Sequence, residues 1–286
     1  MESKPPEAAE FRDTQRRQWN SAATGWRSWS EMIDWAASGV SDRLVEVAGV
    51  EPGSRVLDVA AGYGEPSLTA ARAAGPEGRV VATDISAEML AFGRDRAAEA
   101  GLANIEFMES DAVSLAFPEN SFDAALSRWG IIFEPDGEAA AERIRGFLVP
   151  GSRMAISSWG PPDRVPFLAI PMRTAIERLQ VPPPAPGTPG PLSRPTPEAL
   201  GGLLEDAGFS DVEVETTDVT FEWDSPEQFT TFIKEIAPPI SAIIAPHPAD
   251  VQEETWAAIT EAAGQAAADD GALRLSNLVL VAVGRA

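Results

Sequence analysis

Arg55-Val56-Leu57-Asp58-Val59-Ala60-Ala61-Gly62-Tyr63-Gly64-Glu65-Pro66 decides how this chain is read. Arg55 to Val59 is mostly apolar and β-branched, as a buried strand is. Gly62 and Gly64 then let the backbone turn tightly and approach a ligand with no Cβ in the way. A helical run, Ser67 to Ala74, follows at once. Its first amides face whatever sits on the turn and favour a carboxylate or phosphate there. Gly75-Pro76 closes that helix. A Gly-x-Gly alone is equally an ordinary turn, so its neighbours decide.

Outward from the turn, short strands alternate with helices. Arg79 to Thr83 is a second strand; Ser86 caps a helix with Met89, Phe92 and Ala97 on one face, ended by Gly101. Ile105 to Glu109 and Phe122 to Ser127 are further strands, and a helix over Glu138 to Leu148 leads to a fifth, Arg153 to Ser158. This rhythm predicts βαβ units and a parallel sheet with helices on both faces. Asp84 ends the second strand and Ser110-Asp111-Ala112 follows the third. Both lie at carboxyl ends of strands, where open α/β sheets bind ligands, and Asp84 stands like the acid that takes ribose hydroxyls. Plainer readings exist: Asp84 as a cap reinforcing Ser86, and Asp111 as a solvated charge. Their register with the Gly turn favours a site.

Composition removes other chemistries. The 286 residues hold 22 Lys plus Arg against 44 Asp plus Glu, a net charge of −22. That speaks against nucleic acid and against an anionic membrane surface as partners. With no cysteine, disulfides, thiolate nucleophiles and Cys-ligated metals drop out. The single histidine, His247, leaves no basis for a His-built metal site or a Ser-His-Asp triad, so no metal is expected. The start has no apolar core and no apolar run approaches the ~20 residues of a membrane span, which predicts a cytoplasmic protein.

Residues 1 to about 10 read as a disordered, polar lead-in, and Phe11 to Val50 as helical, with Trp19 and Trp26 a heptad apart on one face. Pro182 to Pro197 holds eight prolines, the mark of a stiff, extended connection. After it come a short helix from Thr196 to about Ala207 and strands over Asp211–Phe221 and Ser276–Val283. The stretch between those strands is longer than a connector needs. Two helices there, Pro226–Ile236 and Ala249–Ala267, read as a cover over the site. The expected division is an N-terminal helical cap (1–50), a cofactor-binding α/β core (51–160), and the rest of the sheet with the Pro-rich connection and helical cover (161–286).

Residues 55 to 160 resemble class I S-adenosylmethionine-dependent methyltransferases, in the branch related to quinone-ring and small-molecule methyltransferases. The resemblance rests on Leu57-Asp58-Val59-Ala60-Ala61-Gly62-Tyr63-Gly64, Ala82-Thr83-Asp84-Ile85-Ser86-Ala87-Glu88-Met89-Leu90, Glu109-Ser110-Asp111-Ala112 and Phe117-Pro118-Glu119-Asn120-Ser121-Phe122-Asp123. One departure is Ala60, where the family's loop has its first glycine. The resemblance implies a doubly wound, mostly parallel seven-stranded sheet with N-terminal helices and a C-terminal helical cover. It implies that Gly62 and Gly64, with Asp58, Ala60, Ala61 and Tyr63, cradle the methionyl end of S-adenosylmethionine. Asp84 would take both ribose hydroxyls, Ile85 and Met89 would pack on adenine, and Asp111 beside Ala112 would take its amino group. Ser127, Arg128 and Trp129 would floor the site near the sulfonium, and Trp26 would close over the amino-acid portion.

Methyl transfer from a sulfonium asks a protein chiefly to align the nucleophile and exclude water, which suits a chain poor in catalytic groups. The reading is methylation of a small molecule, first on a phenolic or quinol-like oxygen, with carbon and nitrogen as rivals. A nicotinamide-dependent oxidoreductase is the competing class, since Gly62-x-Gly64 and Asp84 also fit a dinucleotide fold, although Ser67 occupies the third glycine's place. A homodimer is left open. His247, in a loop of the cover, is the one candidate base for an acceptor hydroxyl, against the plainer reading of an exposed loop residue.

Overall fold

The computed structural model describes residues 8–185 and 187–286. Of the lead-in expected over 1–10, residues 1–7 lie outside the described ones, and Ala8, Ala9 and Glu10 are already helical. Pro186 of the Pro-rich stretch is likewise outside. Two helices open the chain, α1 (Ala8–Ser28) and α2 (Ser30–Val47). The core follows as β1 (Arg55–Val59), α3 (Ser67–Ala74), β2 (Arg79–Asp84), α4 (Ala87–Glu99), β3 (Ile105–Glu109), β4 (Phe122–Arg128), α5 (Gly137–Phe147) and β5 (Leu148–Trp159). The remainder is α6 (Pro166–Leu179), α7 (Pro197–Asp206), β6 (Ser210–Trp223), α8 (Pro226–Ile236), α9 (Pro238–Ile244), α10 (Ala249–Gly264) and β7 (Leu273–Arg285).

The seven strands form one sheet in the order β3-β2-β1-β4-β5-β7-β6. β1 to β5 pair in parallel, whereas β7 is antiparallel to both β5 and β6, so the sheet is mixed. The reason is connectivity. β6 ends at the same edge as β5, and β7 returns from that edge, so everything inserted between β6 and β7 must start and finish there. That edge is also where the carboxyl ends of β1 to β5 lie, with the order reversing between β1 and β4. Ligands of doubly wound sheets bind at such a switch point.

Strand alternation splits the core into two layers. Val56, Ala124, Ala155 and Val281 face α2 and α3; Leu57, Ala125, Ile156 and Ala282 face α5 and α7. The N-terminal helices are not a separate cap in packing terms: one buried cluster joins Ile33 and Leu44 of α2 with Val56, Phe229 of α8 and Leu273 of β7. Two elements go beyond the sequence reading. α6 contains Pro171 in its interior, and α9 opens on Pro238-Pro239, so the cover has three helices rather than two. The Pro-rich stretch also packs at its end: Gly190 N–H and Ser193 Oγ both donate to the Ile132 carbonyl, at 3.1 and 2.8 Å. Among the described residues no helix is long and apolar enough to cross a membrane.

α1 lies across the site edge and is held at both ends. Near its start Arg12 pairs with Glu134 at 2.5 Å. Near its end a Cβ on Gly25 would sit 2.4 Å from the Glu235 carbonyl oxygen, so only glycine lets α1 rest on α8 there. Trp26 Nε1–H donates to the Ile236 carbonyl at 3.1 Å, which fixes the crossing.

Candidate active site

A cavity opens at the carboxyl ends of β1, β2, β4 and β5, roofed by α1, the start of α6 and α8. It runs from the turn after β1 to the start of α6 and to α8, and its lining is mostly apolar.

The turn after β1 lines it through Ala60, Ala61, Gly62 and Tyr63. Gly62 has φ +54° and a Cβ there would meet no protein atom within 4 Å, so its missing side chain leaves open space. Asp84 is buried at the end of β2. Its Oδ2 accepts the Gly62 N–H and its Oδ1 the Ser86 N–H, both at 2.8 Å. Burial pushes its pKa up to about 6 against the pull of those backbone bonds. Asp84 thus braces Ser86, the cap of α4, and also lines the cavity. Ile85, Met89, Asp111 and Ala112 line the cavity beside it.

Arg128 and Tyr63 form the innermost polar group. The buried guanidinium donates to Ser41 Oγ at 2.8 Å and to Tyr63 Oη at 3.0 Å, and the Tyr63 hydroxyl donates to Asp34 at 2.8 Å. Among the described residues no carboxylate forms an ion pair with Arg128. The charges of Glu65 and Asp34 favour its ionised form without pairing with it directly, and it lines the cavity.

Beyond Arg128 the wall becomes aromatic. Trp129 stacks on Trp159 at 4.3 Å and 5°, Trp159 meets Phe167 at 4.8 Å, Phe167 meets Phe221 at 5.3 Å, and Phe221 meets Phe232 at 6.0 Å. All five line the cavity, and this wall carries no titratable side chain among the described residues. Trp26 and Trp19 of α1 close the roof.

Four expected site residues lie elsewhere. Asp58 is fully buried behind the turn, where Ser67 Oγ donates to its Oδ2 at 2.5 Å; burial pushes its pKa up to about 7. It fixes α3 to β1. Gly64 is a packing glycine, since a Cβ there would meet Gly93 Cα at 3.3 Å. Ser127 Oγ donates to the Val59 carbonyl at 2.8 Å and accepts the Ile131 N–H at 2.9 Å, tying β4 to β1. His247 sits in the α9–α10 turn, where its carbonyl accepts from Gln252 Nε2 at 2.7 Å, and it does not line the cavity. The structure thus removes the one candidate base. Sequence reading did not include Arg12, Glu65 and Glu134, nor the aromatic wall beyond Trp129. The heptad spacing of Trp19 and Trp26 was the one signal that α1 turns a face inward.

A Gly turn, a buried acid held by that turn, and a cavity at the switch point of a doubly wound sheet are the marks of a nucleoside-cofactor-binding α/β enzyme. The Methyltransferase domain family model matches residues 56–151. UbiE of Teredinibacter turnerae, a ubiquinone/menaquinone biosynthesis C-methyltransferase, is 32% identical over 188 residues, covering 58% of this chain and 71% of that protein. Its Pseudomonas putida counterpart is 38% identical over 138 residues, 46% of this chain, which spans only 54% of that relative. The solved structure of the YcgJ protein from Bacillus subtilis shares the fold, with a TM-score of 0.58 over 86% of this chain and 98% of that one at 18% identity. The chain belongs to the class I S-adenosylmethionine-dependent methyltransferases, in the branch related to quinone-ring and small-molecule methyltransferases. It is an enzyme whose cofactor is S-adenosylmethionine. The nicotinamide reading is set aside by the same matches.

Proposed function

We propose that this enzyme methylates a compact, apolar, ring-bearing small molecule, at an electron-rich ring carbon. The observation that carries the reading is the aromatic wall from Trp129 to Phe232 with no titratable group on it. Aromatic faces hold a flat ring, and their enclosure keeps water out. An alcohol oxygen needs a base to take its proton; the five rings of this wall supply none, and the cavity's carboxylates are Glu65, Asp84, Asp111 and Glu134. A ring carbon needs no base of its own: once the new C–C bond forms, the displaced ring proton is acidic enough to pass to the acceptor's own oxygen. Carbon methylation is also what the names of the UbiE relatives state of those proteins. A phenolic oxygen is the second reading, supported by the ease with which a phenol ionises.

S-Adenosylmethionine, when bound, supplies an electrophilic methyl on a cationic sulfur. Asp84 is suited to accept the ribose hydroxyls on its remaining lone pairs, and Ile85 and Met89 offer apolar contact to adenine. Asp111 stands beside them for the adenine amino group. Arg128 fits the carboxylate of the amino-acid portion better than the sulfonium, because two buried cations repel. Glu65, at the same end, offers a carboxylate to the ammonium. The acidic body fits a neutral or cationic acceptor and not a nucleic acid. Turnover of quinols, phenols and aryl amines followed by mass spectrometry, with the methyl position fixed by NMR, tests the reading. Methylation on ring carbon supports it; methylation confined to oxygen or nitrogen overturns it.

A further inference from the structure

Trp129 combines two anomalies. It holds φ +54°, a conformation that bulky side chains avoid and that survives chiefly at functional sites. Its surroundings leave it no freedom. Its N–H donates to Ser157 Oγ at 3.1 Å, and its ring is stacked on Trp159 and lies 5.2 Å from the Arg128 guanidinium. A Cβ on the next residue, Gly130, would fall 2.4 Å from Ala60 Cβ. Yet the Trp129 Nε1–H is buried without a hydrogen-bond partner. Asn20, Asp58 and Trp223 also carry such an atom among the described residues, but of the four only Trp129 lines the cavity. A buried donor with nothing to donate to is costly and uncommon. A ligand that parts the aromatic lining would bring this donor a partner.

We propose that Trp129 is a specificity-determining residue whose Nε1–H donates to a ring hydroxyl or carbonyl oxygen of the acceptor. The charged groups Asp84 and Arg128 already answer the polar parts of the cofactor, which leaves the neutral indole for the second molecule. The donor selects oxygenated aromatics over bare ones and fixes which edge of the ring meets the methyl. This rests on the aromatic-acceptor reading above.

The test is calorimetric titration of the full chain, saturated with S-adenosylhomocysteine, with 1-naphthol and with naphthalene. The wild type is expected to bind 1-naphthol about tenfold more tightly, the scale of one hydrogen bond left unmade. Trp129→Phe keeps the ring and is expected to lose that preference, the two probes then binding within about twofold of each other. Equal binding of both probes by the wild type overturns the proposal. So does a preference that survives in Trp129→Phe, or a variant whose only loss is cofactor affinity. A wild type that binds neither probe overturns the aromatic-acceptor reading and the proposal with it. A measurement on the wild type alone guards against a variant that does not fold. In the ¹H–¹⁵N spectrum one of the eight indole resonances should move downfield with 1-naphthol and not with naphthalene; none doing so overturns the proposal.

Discussion

Asp84 holds the Gly62 turn with one oxygen and the start of α4 with the other, and each oxygen keeps a lone pair for a ligand. With its pKa near 6 in the free protein, the ionised form that best accepts ribose hydroxyls is depleted on acidification. S-Adenosylmethionine affinity, measured by calorimetry, is expected to fall as pH drops below 6. Asp84→Asn is expected to weaken binding by roughly 1–3 kcal/mol and to flatten that profile; an unchanged profile contradicts the assignment. Asp58 makes the complementary case, in stability. Its folded pKa of about 7 lies above the ordinary carboxylate range, so the folded state binds the proton more tightly than the unfolded chain. That advantage is complete below about pH 4 and is lost as pH rises through 7. Asp58→Asn, which cannot ionise, is expected to gain stability relative to wild type between pH 5 and 8 in urea denaturation. A pH-independent difference is the contrary result. Ala60, at φ +60°, and Gly130 form a coupled pair. Ala60→Gly is expected to stabilise by about 1 kcal/mol. Gly130→Ala should destabilise, and the double variant should recover part of that loss, a coupling that a double-mutant cycle reads directly.

At the level of elements, α1 depends on Gly25. Gly25→Ala drives a methyl into the Glu235 carbonyl and is expected to cost roughly 1–3 kcal/mol of stability and to weaken cofactor binding through Trp26; calorimetry and thermal unfolding check both. The α/β core was legible because its strands are short β-branched runs closed by glycine turns, and because Ser86 and Gly75 mark helix ends where the rules place them. α6 was not legible: Pro171 interrupts its interior, and the fold overrides that local signal by packing the helix against α10 and β7. Asp58, Gly64 and Ser127 are neighbours of cavity residues in sequence, but strand alternation and the tightness of the turn put them behind it. Arg128 was visible as a strand-end residue. That its guanidinium is buried and held by Ser41 and by Tyr63, itself bonded to Asp34, emerges only when two distant segments converge on it. The aromatic wall draws single residues from β5, α6, β6 and α8, so no local pattern announces it.

For the molecule as a whole, the reversed β7 underlies the proposed division of labour, since it starts and ends the inserted helices at the site edge. The residues assigned to the cofactor all precede Gly130, whereas β5, α6, β6 and α8 supply the far wall. Phe232→Leu in α8 is therefore expected to raise the acceptor KM while leaving the S-adenosylmethionine Kd within about twofold, since only packing on one side of the cavity changes. A larger effect on the cofactor than on the acceptor contradicts that division. The cavity is proposed to move a methyl from S-adenosylmethionine to a carbon of an aromatic ring. The most direct measurement supplies S-adenosylmethionine labelled in its methyl group, with a panel of quinols, and locates the label in the product by NMR. The account predicts label on a ring carbon with one equivalent of S-adenosylhomocysteine formed; label on oxygen alone, or none in any acceptor, contradicts it.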